Sequence, residues 1–215
     1  MSKENGMNSN AKIYRFFDIA FSIIVLIVFS PIIALISIMI KLTDGGRIVF
    51  KQKRAGLHGK CFELYKFRTM YENNDIILKN HLEDNSKAKE EWEKFRKLKT
   101  YDPRVTPIGK FLRKTSLDEF PQFFNVLKGD MSVVGPRPYI MFEFEEYGVP
   151  YDVVNEILSV KPGITGLWQI SSRNEATFDE RIKQDLEYVK NKSLWLDLKI
   201  ILKTVKVILT GKGAY

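Results

Sequence analysis

Apolar positions run almost unbroken near the start of the chain and become periodic further on. From Phe16 to Ile40, 25 residues carry one charge, Asp18, and about 20 apolar residues suffice to span a bilayer as a helix. A signal peptide would have a shorter apolar core followed by a small-x-small cleavage site. Lys41-Leu42-Thr43-Asp44 follows instead, so the pattern predicts a permanent membrane element. Its middle reads Phe29-Ser30-Pro31-Ile32. Pro31 has no N–H and strips the Ile27 carbonyl of its helical donor, which is expensive in lipid. The Ser30 hydroxyl can return part of that by bonding backward. The expectation is a sharp kink at mid-membrane depth. Both a spanning helix with a tolerated proline and a helix that turns back fit this pattern. Lys12 and Arg15 flank one end, and Lys41 to Arg68 holds eight basic residues against two acids. Positive charge at both ends favours a cytoplasmic location for both.

The remainder reads as one soluble unit. Gly45-Gly46 turns into two short strands, Arg47 to Phe50 and Cys61 to Tyr65, joined through Gly56-Leu57-His58-Gly59. Asn74 to Thr100 has helical spacing with acids and bases mixed, the pattern of a solvated face. Asp102-Pro103-Arg104 breaks it. Ile108 to Val126 is helical in period, interrupted by Pro121; Glu143 to Ser159 and Phe178 to Asn191 follow as helices. Between them lie loops at Gly135-Pro136-Arg137-Pro138 and Lys161-Pro162-Gly163. On Leu194 to Leu209 a Leu194/Leu198/Ile201/Val205/Ile208 stripe opposes Lys199, Lys203 and Lys206. Such a helix suits a bilayer interface, or the surface of a soluble core. The expected fold class is therefore α+β and mainly helical, with a kinked N-terminal membrane helix, an interfacial amphipathic helix and a small β-hairpin. The expected divisions are a disordered stretch at 1–11, a membrane helix at 12–43 and a membrane-associated domain at 44–215.

Composition narrows the chemistry. Cys61 is the single cysteine and His58 and His81 the only histidines, which excludes a disulfide framework and a cysteine zinc finger. The net charge of +8 points to an anionic partner: nucleic acid, an acidic membrane surface or a phosphorylated substrate. A nucleic-acid binder leaves the apolar run unexplained. Walker A and Gly-x-Gly-x-x-Gly loops are absent from the sequence.

The chemistry-bearing residues gather around Asp118 and Glu119, adjacent carboxylates beside Phe120-Pro121, with Lys110, Arg113 and Lys114 just before them. On a continuous helix Lys114 shares a face with Asp118. A surface ion pair is one reading. The other is that one carboxylate holds a divalent cation while the second attacks as a nucleophile. Arg137, stiffened between two prolines, presents a fork that matches phosphate oxygens, unless it only braces its loop. Lys66 and Arg68, read as sharing one side of a strand, and Arg104 add cations.

Six blocks then occur in order: the membrane segment with Ser30-Pro31, Lys-Phe-Arg-Thr-Met (66–70), Asp-Pro-Arg-Val-Thr (102–106), Arg-Lys-Thr-Ser-Leu-Asp-Glu-Phe-Pro-Gln (113–122), Gly-Asp-Met-Ser-Val-Val-Gly-Pro-Arg-Pro (129–138) and Lys-Pro-Gly-Ile-Thr-Gly-Leu-Trp-Gln (161–169). Over roughly residues 12 to 215 the chain resembles the bacterial sugar transferases, monotopic polyprenyl-phosphate glycosyl-1-phosphate transferases that start glycan assembly. The resemblance implies transfer of a phosphosugar from a UDP-sugar to undecaprenyl phosphate at the inner leaflet of the bacterial membrane, with Mg2+ and a cytoplasmic catalytic domain. It implies a re-entrant hairpin broken at Ser30-Pro31, Asp118 as nucleophile and Glu119 as Mg2+ ligand. Arg113, Arg137 and Lys66 would hold phosphates, with Arg68, Arg104 and Gln169 as further substrate-binding candidates. Larger relatives carry extra N-terminal membrane helices, so the chain is expected to be close to the minimal catalytic unit. Gly-Leu-Trp-Gln and the Gly-Lys-Gly-Ala-Tyr ending (211–215) resemble the branch that transfers neutral hexoses for capsule and exopolysaccharide; Ser171-Ser172-Arg173 departs from the Gly that relatives often have before Arg. The rival from another class is a non-catalytic membrane scaffold of a polysaccharide assembly complex, its basic charge serving lipid binding alone. Oligomeric state stays open, a homodimer included.

Overall fold

The computed structural model describes residues 11–94, 98, 101–171 and 177–208, and the backbone of helix ends at 2–10, 95 and 209–210. The apolar run forms two helices, α1 (Ser2–Val28) and α2 (Ser30–Asp44). Between Ala11–Val28 and Ser30–Asp44 the axis bends by 64°; among the described residues no single helix is long and apolar enough to cross a membrane. The bend has the local cause that the sequence predicts. Pro31 cannot donate to Ile27, and the Ser30 hydroxyl donates to that carbonyl instead, at 2.8 Å. The disorder expected at 1–11 falls on side chains outside the described residues, apart from Ala11, which is helical.

The bent pair is apolar outside and anchored inside. Ile23, Ile24, Ile27, Leu35, Ile38 and Met39 are exposed, a band that water alone would not favour. Ile36 and Ile40 pack with Phe67 and Leu112. Polar bonds dock α1. Arg15 donates to the carbonyls of Val126 and Leu127, at 2.5 and 2.7 Å. Asp18 accepts from Ser132 Oγ and the Val133 N–H, each at 2.9 Å.

The hairpin is longer than its sequence pattern suggests. Strands β1 (Val49–Ala55) and β2 (Cys61–Phe67) pair antiparallel with Lys51 opposite Tyr65, around a 3-10 turn at Leu57–Gly59. A second sheet was not expected: β3 (Ser132–Val134) and β4 (Gly163–Thr165) pair in parallel. A Cβ on Gly163 would strike the Gly135 backbone nitrogen, so only glycine lets the start of β4 pass this close to the chain leaving β3. The helix expected over 74–100 is two, α3 (Asn74–Asp84) and α4 (Ser86–Phe95), separated at an extended Asn85. That expected over 143–159 is α7 (Met141–Glu146) and α8 (Tyr151–Ile157), divided by Gly148 at φ 62° and by Pro150. Between α4 and α7 come α5 (Pro107–Thr115) and α6 (Gln122–Lys128). After β4 follow α9 (Leu167–Ser171), α10 (Phe178–Asn191) and α11 (Leu194–Thr210).

One core joins Tyr139, Phe144, Val154, Ile157 and Ile182; another joins Leu64, Val126, Met131, Val133, Tyr188 and Ile200. α11 is held to the domain by a side other than its predicted apolar stripe. Asp197 and Ile200 form its buried side, with Asp197 accepting from the Tyr188 hydroxyl at 2.8 Å. Leu194, Leu198, Val205 and Ile208 of the predicted stripe stay exposed, as do Trp195 and Leu202.

Candidate active site

The acidic pair owes its position to two helix ends. Thr106 caps α5 by accepting from the Gly109 N–H at 2.9 Å, with Pro107 in the first turn. The helix stops at Thr115, because Ser116 turns left-handed at φ 57°. Leu117–Glu119 then forms a 3-10 turn, and Pro121 leads into α6. Asp118 and Glu119 thus sit on a tight turn between helices. This corrects the expected pairing of Lys114 with Asp118. No helix runs through Ser116, Lys114 is exposed, and no ion pair joins it to Asp118 among the described residues.

The cation at the pair comes from β2 instead. Lys66 Nζ lies 2.7 Å from Glu119 Oε1 and 3.7 Å from Asp118 Oδ2. The two carboxyls are thereby made unequal. Burial pushes the Asp118 carboxyl up, the charge of Glu119 adds to that, and Lys66 and Arg113 offset only part. Burial also pushes Glu119 up, but Lys66, then Arg137 and Gln122, outweigh it and hold Glu119 below its ordinary value.

Two arginines complete the surroundings. Arg113 Nε donates to Thr69 Oγ1 at 3.0 Å, on the Asp118 side. Arg137 lies on the Glu119 side. Its backbone N–H donates to Asp185 Oδ2 at 3.1 Å, and its guanidinium stands 5.3 Å from the Trp168 ring. Tyr139 also donates to Asp185, at 2.7 Å, so a carboxylate on α10 holds both ends of the Arg137-Pro138-Tyr139 segment.

Arg68 and Arg104, expected among the phosphate-binding cations, are each committed to a carboxylate. Arg68 lies beyond the end of β2 and grips Asp44 with both terminal nitrogens, at 2.6 and 2.5 Å, closing the end of α2 onto the hairpin. Arg104 grips Asp102 at 2.8 and 2.7 Å and stacks 4.9 Å from the Trp92 ring. Gln169, on α9, donates to the carbonyl of Ile164 on β4 at 3.1 Å. Ser172, Arg173 and the 211–215 ending lie outside the described residues.

Two cations escape the sequence reading. Arg54, at the end of β1, faces Arg137 and Glu119 and donates to the Pro138 carbonyl at 3.2 Å. Arg181 of α10 stands 5.2 Å from the Trp168 ring that Arg137 also approaches. Nothing in Lys51-Gln52-Lys53-Arg54 marks the last residue from its neighbours; a helix-face count on α10 could have placed Arg181 four residues before Asp185.

The donor set fits Mg2+. Among the described residues no cluster of three or more His, Cys, Asp or Glu could cage a metal. Mg2+ asks for less, one or two carboxylates plus substrate phosphates and water, and Asp118 and Glu119 supply that hard-oxygen pair.

The site is thus an adjacent carboxylate pair ringed by cations, in a chain whose bent N-terminal helix pair is apolar on its outside. Comparison with known proteins gives it a family. The profile described as "Bacterial sugar transferase" matches residues 9–211, and the chain belongs to that family. It is 52% identical to the "Undecaprenyl-phosphate galactose phosphotransferase" of Salmonella typhimurium, over 94% of the chain and 41% of that relative. It is 43% identical to the "Exopolysaccharide production protein ExoY" of Rhizobium meliloti, over 94% and 87%. It is 42% identical to the "UDP-glucose:undecaprenyl-phosphate glucose-1-phosphate transferase" of Klebsiella pneumoniae, over 98% and 43%. The chain therefore spans about two fifths of the Salmonella and Klebsiella relatives and most of the Rhizobium one.

Proposed function

We propose that the chain transfers a hexose 1-phosphate from a UDP-sugar to undecaprenyl phosphate and releases UMP, as the first membrane step in assembling an exopolysaccharide or capsule. The carrying observation is the unequal carboxyl pair: Glu119 bound by Lys66, and Asp118 beside it with one lysine at 3.7 Å. Relatives named for galactose and glucose transfer to undecaprenyl phosphate support the substrate class.

The reaction runs in two displacements on one phosphorus. An Asp118 carboxylate oxygen attacks the sugar-bearing phosphorus, the bond to the bridging oxygen breaks, and UMP leaves with that electron pair. The product is an acyl phosphate that carries the sugar. An oxygen of the polyprenyl phosphate then attacks the same phosphorus, and Asp118 departs as a free carboxylate. Lys66, Arg113 and Arg137 offset the repulsion between an anionic nucleophile and an anionic phosphate. Glu119, with Asp118 in the donor's absence, would hold Mg2+, which supplies charge neutralisation at the diphosphate.

The bent α1–α2 pair enters and leaves the membrane on the cytoplasmic side, as the basic residues at both ends favour. The exposed stripe of α11 lies in the same interface. On this reading the site lies at the inner leaflet, where a soluble donor and a lipid acceptor can both reach it.

The test is the donor half-reaction. Purified protein with the correct UDP-sugar and no lipid should release at most one UMP per site and gain one hexose phosphate on the Asp118 peptide. Asp118→Asn should lose both signals and still bind the UDP-sugar. UMP release that strictly requires the lipid, with no adduct under rapid quench, would make Asp118 a base or metal ligand in a direct transfer.

A further inference from the structure

We infer that three cations gathered where α1 meets the domain seat the phosphate of an anionic membrane lipid; the inference rests on the membrane placement proposed above. Lys161, shortly before β4, and Arg15 of α1 converge at Gly129. A Cβ there would lie 3.7 Å from the Lys161 ammonium and 3.6 Å from an Arg15 terminal nitrogen. Lys192, between α10 and α11, is within electrostatic reach of Lys161 and stands 4.9 Å from the Tyr14 ring.

These cations lack a counter-charge. Among the described residues no carboxylate forms an ion pair with any of the three, and neither ammonium makes a hydrogen bond. The acids nearby are engaged elsewhere: Asp18 by Ser132 and Val133, Asp130 by Lys128 at 3.3 Å, and Asp197 by Tyr188. Arg15 gives one N–H from each terminal nitrogen to the carbonyls that end α6, and each nitrogen keeps a second. Burial holds the Lys161 ammonium below its ordinary range, and the Arg15 charge lowers it further, against the pull of Asp18 and Asp130. A phosphate between the cations would offset both effects.

The surroundings indicate what carries that phosphate. Phe16, next to Arg15, is 75% exposed, and Trp195, three residues after Lys192, is 65% exposed. Exposed aromatic rings beside basic residues are the pattern of a membrane interface. A lipid sets its phosphate on the cations and its acyl chains over these rings, whereas a free phosphate ion leaves the rings in water. Asp118 and Glu119 are not among the charges felt most at Lys161 or Lys192, so this lipid is a resident of the fold and not the acceptor.

The whole chain in dodecyl maltoside is titrated with dioleoyl phosphatidylglycerol, dioleoyl phosphatidylcholine or inorganic phosphate. Native mass spectrometry counts bound lipid, and thermal unfolding is followed in parallel. Wild type should hold one phosphatidylglycerol about tenfold more tightly than phosphatidylcholine, the order that one hydrogen bond to a charged group gives. Its Tm should rise with phosphatidylglycerol. Lys161→Gln should lose both the preference and the rise. Without lipid it should melt no lower than wild type, because the charge removed had no partner. Lys161→Arg should keep both signals, and Lys203→Gln, which alters an exposed lysine of α11, should match wild type. Equal retention of the two lipids by wild type would overturn the site. Equal losses in Lys161→Gln and Lys203→Gln would also overturn it, by spreading the attraction over the whole basic surface. A lipid-free Lys161→Gln protein well below wild type in Tm would make the lysine a structural one. Inorganic phosphate that raises the Tm through Lys161 while neither lipid does would keep the phosphate seat and overturn the lipid as its carrier. Flotation with phosphatidylcholine–phosphatidylglycerol vesicles keeps the membrane reading separate. Lys161→Gln should still float, and a wild-type chain that stays off the vesicles would sink the membrane placement itself.

Discussion

The grip of α1 on the rest of the molecule can be weighed at Asp18. This residue is 5% exposed, and its Oδ1 accepts from both the Ser132 hydroxyl and the Val133 N–H at 2.9 Å. Asp18→Leu keeps the γ-branched shape, adds some bulk and removes the acceptor, leaving two buried donors on β3 unpaired. Each such donor costs about 1–3 kcal/mol, so the pair costs roughly 2–6 kcal/mol against a typical stability of about 5–15 kcal/mol. For a chain of this size that is a fall in Tm of roughly 5–20 °C. Asp18→Asn leaves an amide oxygen where Oδ1 was and can accept both bonds, so its loss should stay under about 1.5 kcal/mol. The assay is thermal unfolding in one detergent, followed by near-ultraviolet circular dichroism, with limited proteolysis near Gly45 as a second readout. An Asp18→Leu protein within a degree of wild type would refute the docking argument. An Asp18→Asn protein as unstable as the leucine variant would assign the hold to charge, through Lys161 and Lys192, rather than to the two bonds.

Replacing Ser30 and Pro31 with leucine restores an unbroken apolar helix, so a cysteine in the first ten residues should label from the periplasmic face in the variant and not in wild type; equal labelling would remove re-entrance from the proposal. Glu119→Gln should cut turnover by on the order of a hundredfold and raise the Mg2+ requirement; an unchanged Mg2+ titration would take the metal role away from Glu119. Burial pushes the Asp185 carboxyl from 3.8 up to about 7, against the bonds from Tyr139 and Arg137. Between those values the unfolded chain gives up the proton that the folded chain keeps, so this group lowers stability as pH rises from about 4 to 7. Asp185→Asn should therefore gain on wild type across that window, and parallel stability curves would disprove the titration.

What could be read from the sequence is what has a local cause. Pro31 and Ser30 determine the break through one missing N–H and one hydroxyl, which donates to the Ile27 carbonyl at 2.8 Å. The hairpin and α10 follow period and turn residues. The acidic pair was visible as adjacent carboxylates, and the wrong lysine was assigned to it because serine gives no sign of a left-handed backbone. Ser116 at φ 57° ends α5 one turn early and hands Asp118 to a strand 52 residues upstream. The β3–β4 pair escaped for a related reason: three-residue strands about 30 residues apart carry no periodic signal, and their pairing depends on a close glycine contact. Arg68 was counted as a free cation because its partner Asp44 is a long-range neighbour. Arg104 lay two residues from Asp102 and could have been paired by inspection.

The break and the acidic pair belong to one packing unit, and this bears on why the helix bends at all. Phe29, the last residue before the break, packs on Phe120; Phe120 packs on Phe123, which packs on Phe21 of α1. Arg68 ties the far end of α2 to the strand that carries Lys66. A straight α1–α2 could keep the contacts of Phe21 or those of Ile36 and Ile40 with the domain, since a 64° change of axis separates the two sets. Keeping both is what brings Phe120, the residue after Glu119, against the apolar helices. In the proposed reaction the donor arrives from water and the acceptor from the membrane. The bend lets one rigid unit carry both approaches, so loss of Ser30-Pro31 should disturb acceptor use before donor use.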